Sequence, residues 1–553
     1  MKKDRYKFPK TLGVVVTFFL TGIINIPAQI SGDYPYFESF LSGTRPGGII
    51  IPKPENNSVT FQTKGAVLTP EPAEYGKFGA IILDNHQFDA KAGIFISFEY
   101  MIYGGNGGDG MSVFFFDASK TPYIGAAGAG IGYTYNRSYN GSYQGTDFTK
   151  YRAIGLSGAY LGIALDSYGN FKQAFYQGEA RVNGLPYIGY GMTGGNDLNR
   201  KNTKDDVTLR GAMSPTAAGS IPGMGVGYAG YPVLVTQSTV ENIGHRLKTG
   251  GNYAWEEYPQ LKRGTIPFTI KGGHEFERPS DPGYRRAYIE LFPNTETSDG
   301  GFFVSVMIEN ENRRDTIINN YLYRQSFTYL ENAFSVNSSG DNDGATAQPR
   351  SSSPTKVLDA KVPDALKIGF AAATGDSKRG DPKRDTHVIK NLRLILPRAA
   401  EAYDDFMPDQ YQGTTVEFHP LANDIGYTGT VSRIQDPCPS CIDEETFRFV
   451  LEDGSEIYDD ASNTIEYTVL NQGKWTYDKT LKTVTFQPIP ITFKGEARIR
   501  YNIKGGRGGE YPYDQEPYRS TPATIGVNII ENPNPPGSTF MISNKMVTSR
   551  TRK

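Results

Sequence analysis

The chain has 553 residues, including 63 Gly, 35 Pro, 36 Tyr and 31 Phe but only 5 His and 2 Cys, with a formal net charge of −2. The Gly and Pro are scattered between aromatic and β-branched runs, the pattern of a turn-rich all-β chain, and a 38% apolar content is enough to bury a core. The composition disfavours a helical bundle, a nucleic-acid binder that needs a basic field, a zinc cluster and a disulfide scaffold.

Residues 1–10 (MKKDRYKFPK) are basic, residues 12–24 (LGVVVTFFLTGII) are uncharged and mostly apolar, and Ala28 precedes a cleavage point. That order predicts a secretory signal over 1–28. The apolar run is short of the ~20 residues needed to span a bilayer, and no later stretch is long and apolar enough for a membrane span. The mature chain is expected to be mildly acidic and secreted or at the cell surface.

From residue 33 to 398, short strand-like runs recur between Gly, Pro and Asn clusters, among them GAIILD, GIFISFEYMIY, MSVFFFD, YLGIALDSY, RAYIELF, FFVSVMI and ALKIGFAAAT. Many are apolar at both parities, as in strands covered on both faces. Residues 183–282 carry fewer such runs and predict a loop-rich elaboration. After residue 400 a second set, including TTVEFHP, FRFVLED, KTVTFQP and ARIRYNI, predicts a smaller β-sandwich over 400–531, followed by a linker or tail over 532–553. Cys438 and Cys441 form CPSC. In an exported chain a short disulfide is favoured over redox chemistry or half a zinc site.

Chemistry concentrates in three segments: Gly104–Phe116 (GGNGGDGMSVFFF), Gly125–Tyr133 (GAAGAGIGY) and Leu161–Phe171 (LGIALDSYGNF). Asp109 lies in a glycine-flanked bend, where a carboxylate beside backbone N–H groups can bond vicinal sugar hydroxyls. Asp166, Tyr168 and Asn170 alternate at a strand end and offer the hard oxygens that calcium takes.

These segments, with the closing run Leu366–Leu396 and the VTLRG of Val207–Gly211, resemble the L-type (legume-like) lectin family, most nearly its bacterial surface members. The resemblance implies an all-β, concanavalin A-like jelly-roll sandwich and non-catalytic recognition of glycans or glycoconjugates in adhesion. It assigns sugar binding to Asp109, whose preceding peptide Gly108–Asp109 is typically cis in the family, to the backbone of Gly128 or Gly130, and to Asn170. It assigns calcium to Asp166, the Tyr168 carbonyl and Asn170. Tyr133, Tyr135 or Tyr168 could stack on a sugar face.

The departures are specific. Ala164 stands where the family has a metal-binding Glu, Phe175 where it has a second calcium Asp, and the family's His is absent. No manganese is expected, and calcium has a partial ligand set unless Asp197, Asp205 or Asp206 supplies a carboxylate. The alternative is a structural surface module with a degenerate site, Asp166 and Asn170 merely closing a turn.

A glycoside hydrolase of the same fold ranks third, because no paired-carboxylate strand is evident. Glu99, Glu290 and Glu309 are expected to face solvent, and His387 to pack or sit at a rim. The second region, through EAYDDFMPDQYQGTTVEFHPLAND, KTVTFQPIPITFKGEARIRYNI and PATIGVNII, resembles a CshA-type surface-fibril repeat, which implies a spacer or adhesive module and surface-protein partners. There Asn423 and Asp424 are expected to cap a turn.

Overall fold

A computed structural model describes residues 34–52, 57–134, 155–172, 204–217, 228–241, 243–247, 255–257, 267–295, 297–311, 313–330, 355–375, 383–427, 438–509 and 512–533. Residues 1–28, with the expected secretory signal, and Tyr135, Phe175, Asp197 and most of the tail lie outside these residues.

Two large antiparallel sheets form the first sandwich. One has eight strands, in the order Arg313–Tyr323, Phe302–Asn310, Arg285–Pro293, Ile94–Tyr103, Thr386–Ile395, Gly65–Thr69 and Thr60–Gln62, with Tyr36–Glu38 also paired to Thr386–Ile395. The other has ten. Its centre runs Val233–Ser238, Asp206–Arg210, Ala159–Asp166, Gly110–Asp117, Ala365–Ala373 and Phe78–Leu83. Strands distant in sequence lie side by side, so this is the expected jelly-roll sandwich.

The doubly apolar runs have a direct cause. In Ile94–Tyr103 every residue is buried. Ile94, Ile96, Phe98, Tyr100 and Ile102 point into the main core, while Met101 and Tyr103 pack outward against Phe276 and Tyr284. Gly110–Asp117 behaves likewise: Met111, Val113 and Phe115 join the main core, and Phe114 and Phe116 join an outer cluster with Ile124, Ile131 and Tyr133. Each such side chain contributes roughly 1.5–3 kcal/mol on burial. The outer cluster holds the glycine-rich turn against the sheet, which positions the candidate site.

Residues 183–282 hold more strand than the sequence suggests. Asp206–Arg210 and Val233–Ser238 are wholly buried and continue the ten-stranded sheet beside Ala159–Asp166. Their polar residues, including Thr208, Arg210, Thr236 and Gln237, mask the strand pattern yet are buried.

The second sandwich pairs a five-stranded sheet (Asp405–Tyr411, Ala523–Ile530, Gly495–Lys504, Asp443–Val450, Glu456–Ile457) with a four-stranded one (Val416–Phe418, Thr483–Pro488, Gly473–Asp478, Thr464–Val469). Its own core centres on Phe447, Trp475, Tyr477, Phe486 and Tyr501. Cys438 and Cys441 form a disulfide. Asp424 is buried, accepting from the Tyr403 N–H at 2.9 Å and the Tyr501 hydroxyl at 3.0 Å, and so ties the Pro420–Asp424 turn to the Gly495–Lys504 strand and to the segment that leads into Asp405–Tyr411.

The sandwiches meet at a polar junction. The Arg314 guanidinium lies 3.5 Å from the Tyr288 ring centroid, and it donates to Glu401 and to the Tyr403 hydroxyl, each at 3.3 Å.

Candidate functional site

Asp109 ends the glycine-rich segment that opens the Gly110–Asp117 strand, and its N–H donates to the Ala373 carbonyl at 3.0 Å. Gly107 and Gly110 have φ of 110° and 111°, which a side chain would resist. A Cβ on Gly110 would lie 2.4 Å from the Leu165 carbonyl, so this bend requires glycine. Among the described residues the cis peptides all precede proline. The expected cis Gly108–Asp109 bond is therefore trans, and the bend is made by glycine dihedrals instead.

Asn170 reaches Asp109 from the adjacent strand end. Both Asp166 carboxylate oxygens accept backbone N–H groups, from Gly169 at 2.7 Å and Phe171 at 2.6 Å, and this folds the 166–171 turn. The turn aims Asn170 back, so that its Nδ2 donates to Asp109 Oδ1 at 2.9 Å. Ser167 Oγ donates to the Gly108 carbonyl at 3.1 Å and joins the same two loops. Asp109 and Asn170 are 7% and 4% exposed. Asn170 Oδ1 is buried with no hydrogen-bond partner among the described residues, an orphan acceptor of the kind a ligand hydroxyl or a water satisfies.

Gly128, at φ 62°, lies beside this pair: a Cβ there would sit 3.9 Å from Asp109 Oδ2. The Gly130 N–H is directed into its own turn, toward the Ala127 carbonyl at 3.4 Å, so Gly128 is the better placed of the two glycines. Tyr133 is fully buried, with its hydroxyl on the Gly211 carbonyl at 2.8 Å, so it packs and cannot stack on a ligand. Tyr168 is 37% exposed and lines a cleft of about 420 Å³ between the 106–107, 167–168, 269–273 and 204–205 segments.

The calcium expectation meets a different arrangement. Asp206 is the register partner of Asp166 on the neighbouring strand. The Lys172 ammonium bonds Asp206, both side chains being buried at 2% and 1% exposure. Burial first, and then the Asp206 charge, push the Asp166 carboxyl well above the usual carboxylate range, against the pull of its two backbone N–H bonds. Calcium wants six to eight oxygens. Two engaged carboxylates, a resident ammonium and one orphan amide oxygen do not fit it, and no cluster of three His, Cys, Asp or Glu exists among the described residues. Asp205 accepts the Ile270 N–H at 2.8 Å and is likewise committed to protein.

Several other acids are placed unlike the sequence expectation. Glu99 and Glu290 are buried rather than solvent-facing, because both faces of the eight-stranded sheet are covered. Glu99 is held by Arg286, Lys390 and Asn391, and Glu309 accepts from the Tyr288 hydroxyl. His387 is a packing residue: its Nδ1 meets Thr69 Oγ1 at 2.8 Å, and burial pushes its pKa down to about 3. The signal for Lys172 was present in the sequence as a lysine two residues after Asn170. Searching for acidic ligands passes over it.

No family model and no curated protein matches the chain. Among solved structures, the chain is similar to peanut lectin in complex with a nine-residue peptide (13% identity, TM-score 0.30, covering 66% of this chain and 97% of that one). It is similar to the metal-free lectin I-B4 from Griffonia simplicifolia (10%, 0.30, 66% and 98%) and to the exoplasmic/lumenal domain of VIP36 in its Ca²⁺/Man3GlcNAc-bound form (14%, 0.27, 65% and 90%). Scores this low add no weight beyond the sandwich architecture already described.

Proposed function

We propose that this chain is an exported, non-catalytic carbohydrate-binding protein that acts in adhesion, with glycans or glycoconjugates as its ligands. The observation that carries the reading is the Asn170–Asp109 hydrogen bond at 2.9 Å, which leaves Asn170 Oδ1 buried and unpartnered. A sugar hydroxyl donating to Asn170 Oδ1 would satisfy it, Asp109 Oδ2 would accept a neighbouring hydroxyl, and the Gly128 N–H would donate to a ring substituent. Charge-assisted bonds of the Asp109 kind are the strong ones in such a set. The basic-then-apolar 1–28 segment supports export, and the second sandwich, with its resemblance to a fibril repeat, would serve as spacer or as the contact to other surface proteins.

The test is a glycan array with wild type and Asp109→Ala. Binding by the first and not by the second, at matched thermal stability, is the expected result.

A second reading is a structural surface module whose loop pair no longer meets ligand. The low exposure of Asp109 and Asn170 favours it. Full stability with no glycan bound would select that reading, whereas release of reducing sugar from a polysaccharide would overturn both.

A further inference from the structure

The cleft beside the Asp109–Asn170 pair has a chemistry of its own. It shares the 104–109 and 166–172 loops with that pair, and three lysines, Lys204, Lys271 and Lys383, line it together with the exposed Tyr168. This convergence runs against the acidic balance of the whole chain, 59 Asp and Glu against 57 Lys and Arg.

The acids nearby offset part of it, since Asp385 pairs with Lys271 and Asp205 feels the Lys204 charge, and three lysines against these two acids leave a positive balance. Asp205 is 8% exposed and bonded to the Ile270 N–H. Asp385 is fully buried and held by Lys271 at 2.5 Å. Lys271 also donates to the Gly105 carbonyl at 2.7 Å. An ammonium has three donors, so one remains for a ligand. Lys204 is exposed, and its ammonium donates to no acceptor among the described residues. A cleft of about 420 Å³ accommodates one or two sugar rings. Tyr168 offers a ring face for the apolar side of a pyranose.

We propose that this cleft is an anion subsite, so that the ligand is an acidic saccharide whose carboxylate or sulfate is held by Lys204 and Lys271 while its ring lies against Tyr168. The proposal rests on the carbohydrate reading above and narrows it to a class of sugar.

The experiment is calorimetric titration of the full chain with matched probes. One arm uses polygalacturonate oligosaccharides and their carboxyl-reduced forms, and the other a sulfated galactan oligosaccharide and its desulfated form. The two arms separate the carboxylate from the sulfate source. Each probe is run at low and high salt, against wild type and Lys204→Glu, a change at an exposed side chain that leaves the Lys271–Asp385 bond intact.

At least one acidic probe is expected to bind at least ~10-fold tighter than its neutral form, to weaken with salt, and to lose ~10-fold or more in Lys204→Glu. Equal affinity for acidic and neutral forms, or no effect of Lys204→Glu, overturns the subsite while leaving the carbohydrate reading intact. Failure of every probe, acidic and neutral, overturns the subsite, and an empty glycan array beside it overturns the carbohydrate reading as well.

Discussion

Asn170 Nδ2 donates to Asp109 Oδ1 at 2.9 Å across two loops that are 61 residues apart in the chain. The bond fixes the amide orientation, which leaves Asn170 Oδ1 as the unpaired atom. Asn170→Asp would set two carboxylates at that distance. The expected outcome is a loss of about 1–3 kcal/mol of stability and of all glycan binding. Asp109→Asn keeps the shape and is expected to retain the fold while weakening binding ~10-fold or more. Thermal melts and array binding on the same preparations check both.

Lys172 and Asp206 form a buried ion pair facing Asp166. Lys172→Met strands the Asp206 charge in the core and is expected to cost about 3–5 kcal/mol. The double variant Lys172→Met/Asp206→Leu removes both charges and is expected to recover most of that loss, read from denaturant midpoints. For wild type, the expected melting temperature is the same in EDTA and in millimolar calcium. A rise on adding calcium of more than about 2 °C, a shift that corresponds to ~1 kcal/mol in a domain of this size, would show that a metal stabilises the turn after all.

Glu290 carries a pH signature. Burial first raises its pKa from 4.5 to about 8, with Arg398 opposing and Glu401 adding to the rise. A folded-state pKa above the unfolded one means the contribution is complete below about pH 4.5 and is lost as pH rises through about 8. Glu290→Gln removes that loss. The variant is expected to gain about 1.4 kcal/mol on wild type for each pH unit climbed in this window, measured by urea unfolding at several pH values. Parallel pH curves for the two proteins would refute it.

Arg314 stands between the sandwiches, stacked on Tyr288 and bonded to Glu401 and Tyr403. Arg314→Ala is expected to loosen this junction by about 1–3 kcal/mol. Limited proteolysis should then cut near residues 398–404 faster than in wild type, with the two sandwich cores still melting cooperatively. Unchanged cleavage would mean that the junction is held by other contacts.

The strands of both sandwiches were legible because their apolar runs bury at one or both parities, as Ile94–Tyr103 and Gly110–Asp117 do. The Asp109–Asn170 convergence was legible only through the lectin resemblance, which implies an Asp in a glycine bend beside an Asn just past a strand end; the backbone there turns after Asp166 rather than continuing as a strand. Polar strands were harder. Asp206–Arg210 spells DVTLR, and nothing local says that its threonine and arginine are buried; the neighbours that bury them lie far away in the chain. Glu99 and Glu290 were misplaced for the same reason, since facing solvent or a covered face is a property of the other layer. The Lys172–Asp206 pair spans two strands, so no single motif contains it.

A metal ion that pins a loop can leave, and the loop then depends on how much metal the surroundings hold. Lys172 is attached to the chain by its own backbone. The positive charge that binds the turn to the neighbouring strand is present at fixed stoichiometry from the moment the strand pairs, and no chelator can withdraw it. Held in this way, the turn that presents Asn170 is expected to keep its shape in a chelator, whatever the Asp109–Asn170 pair holds.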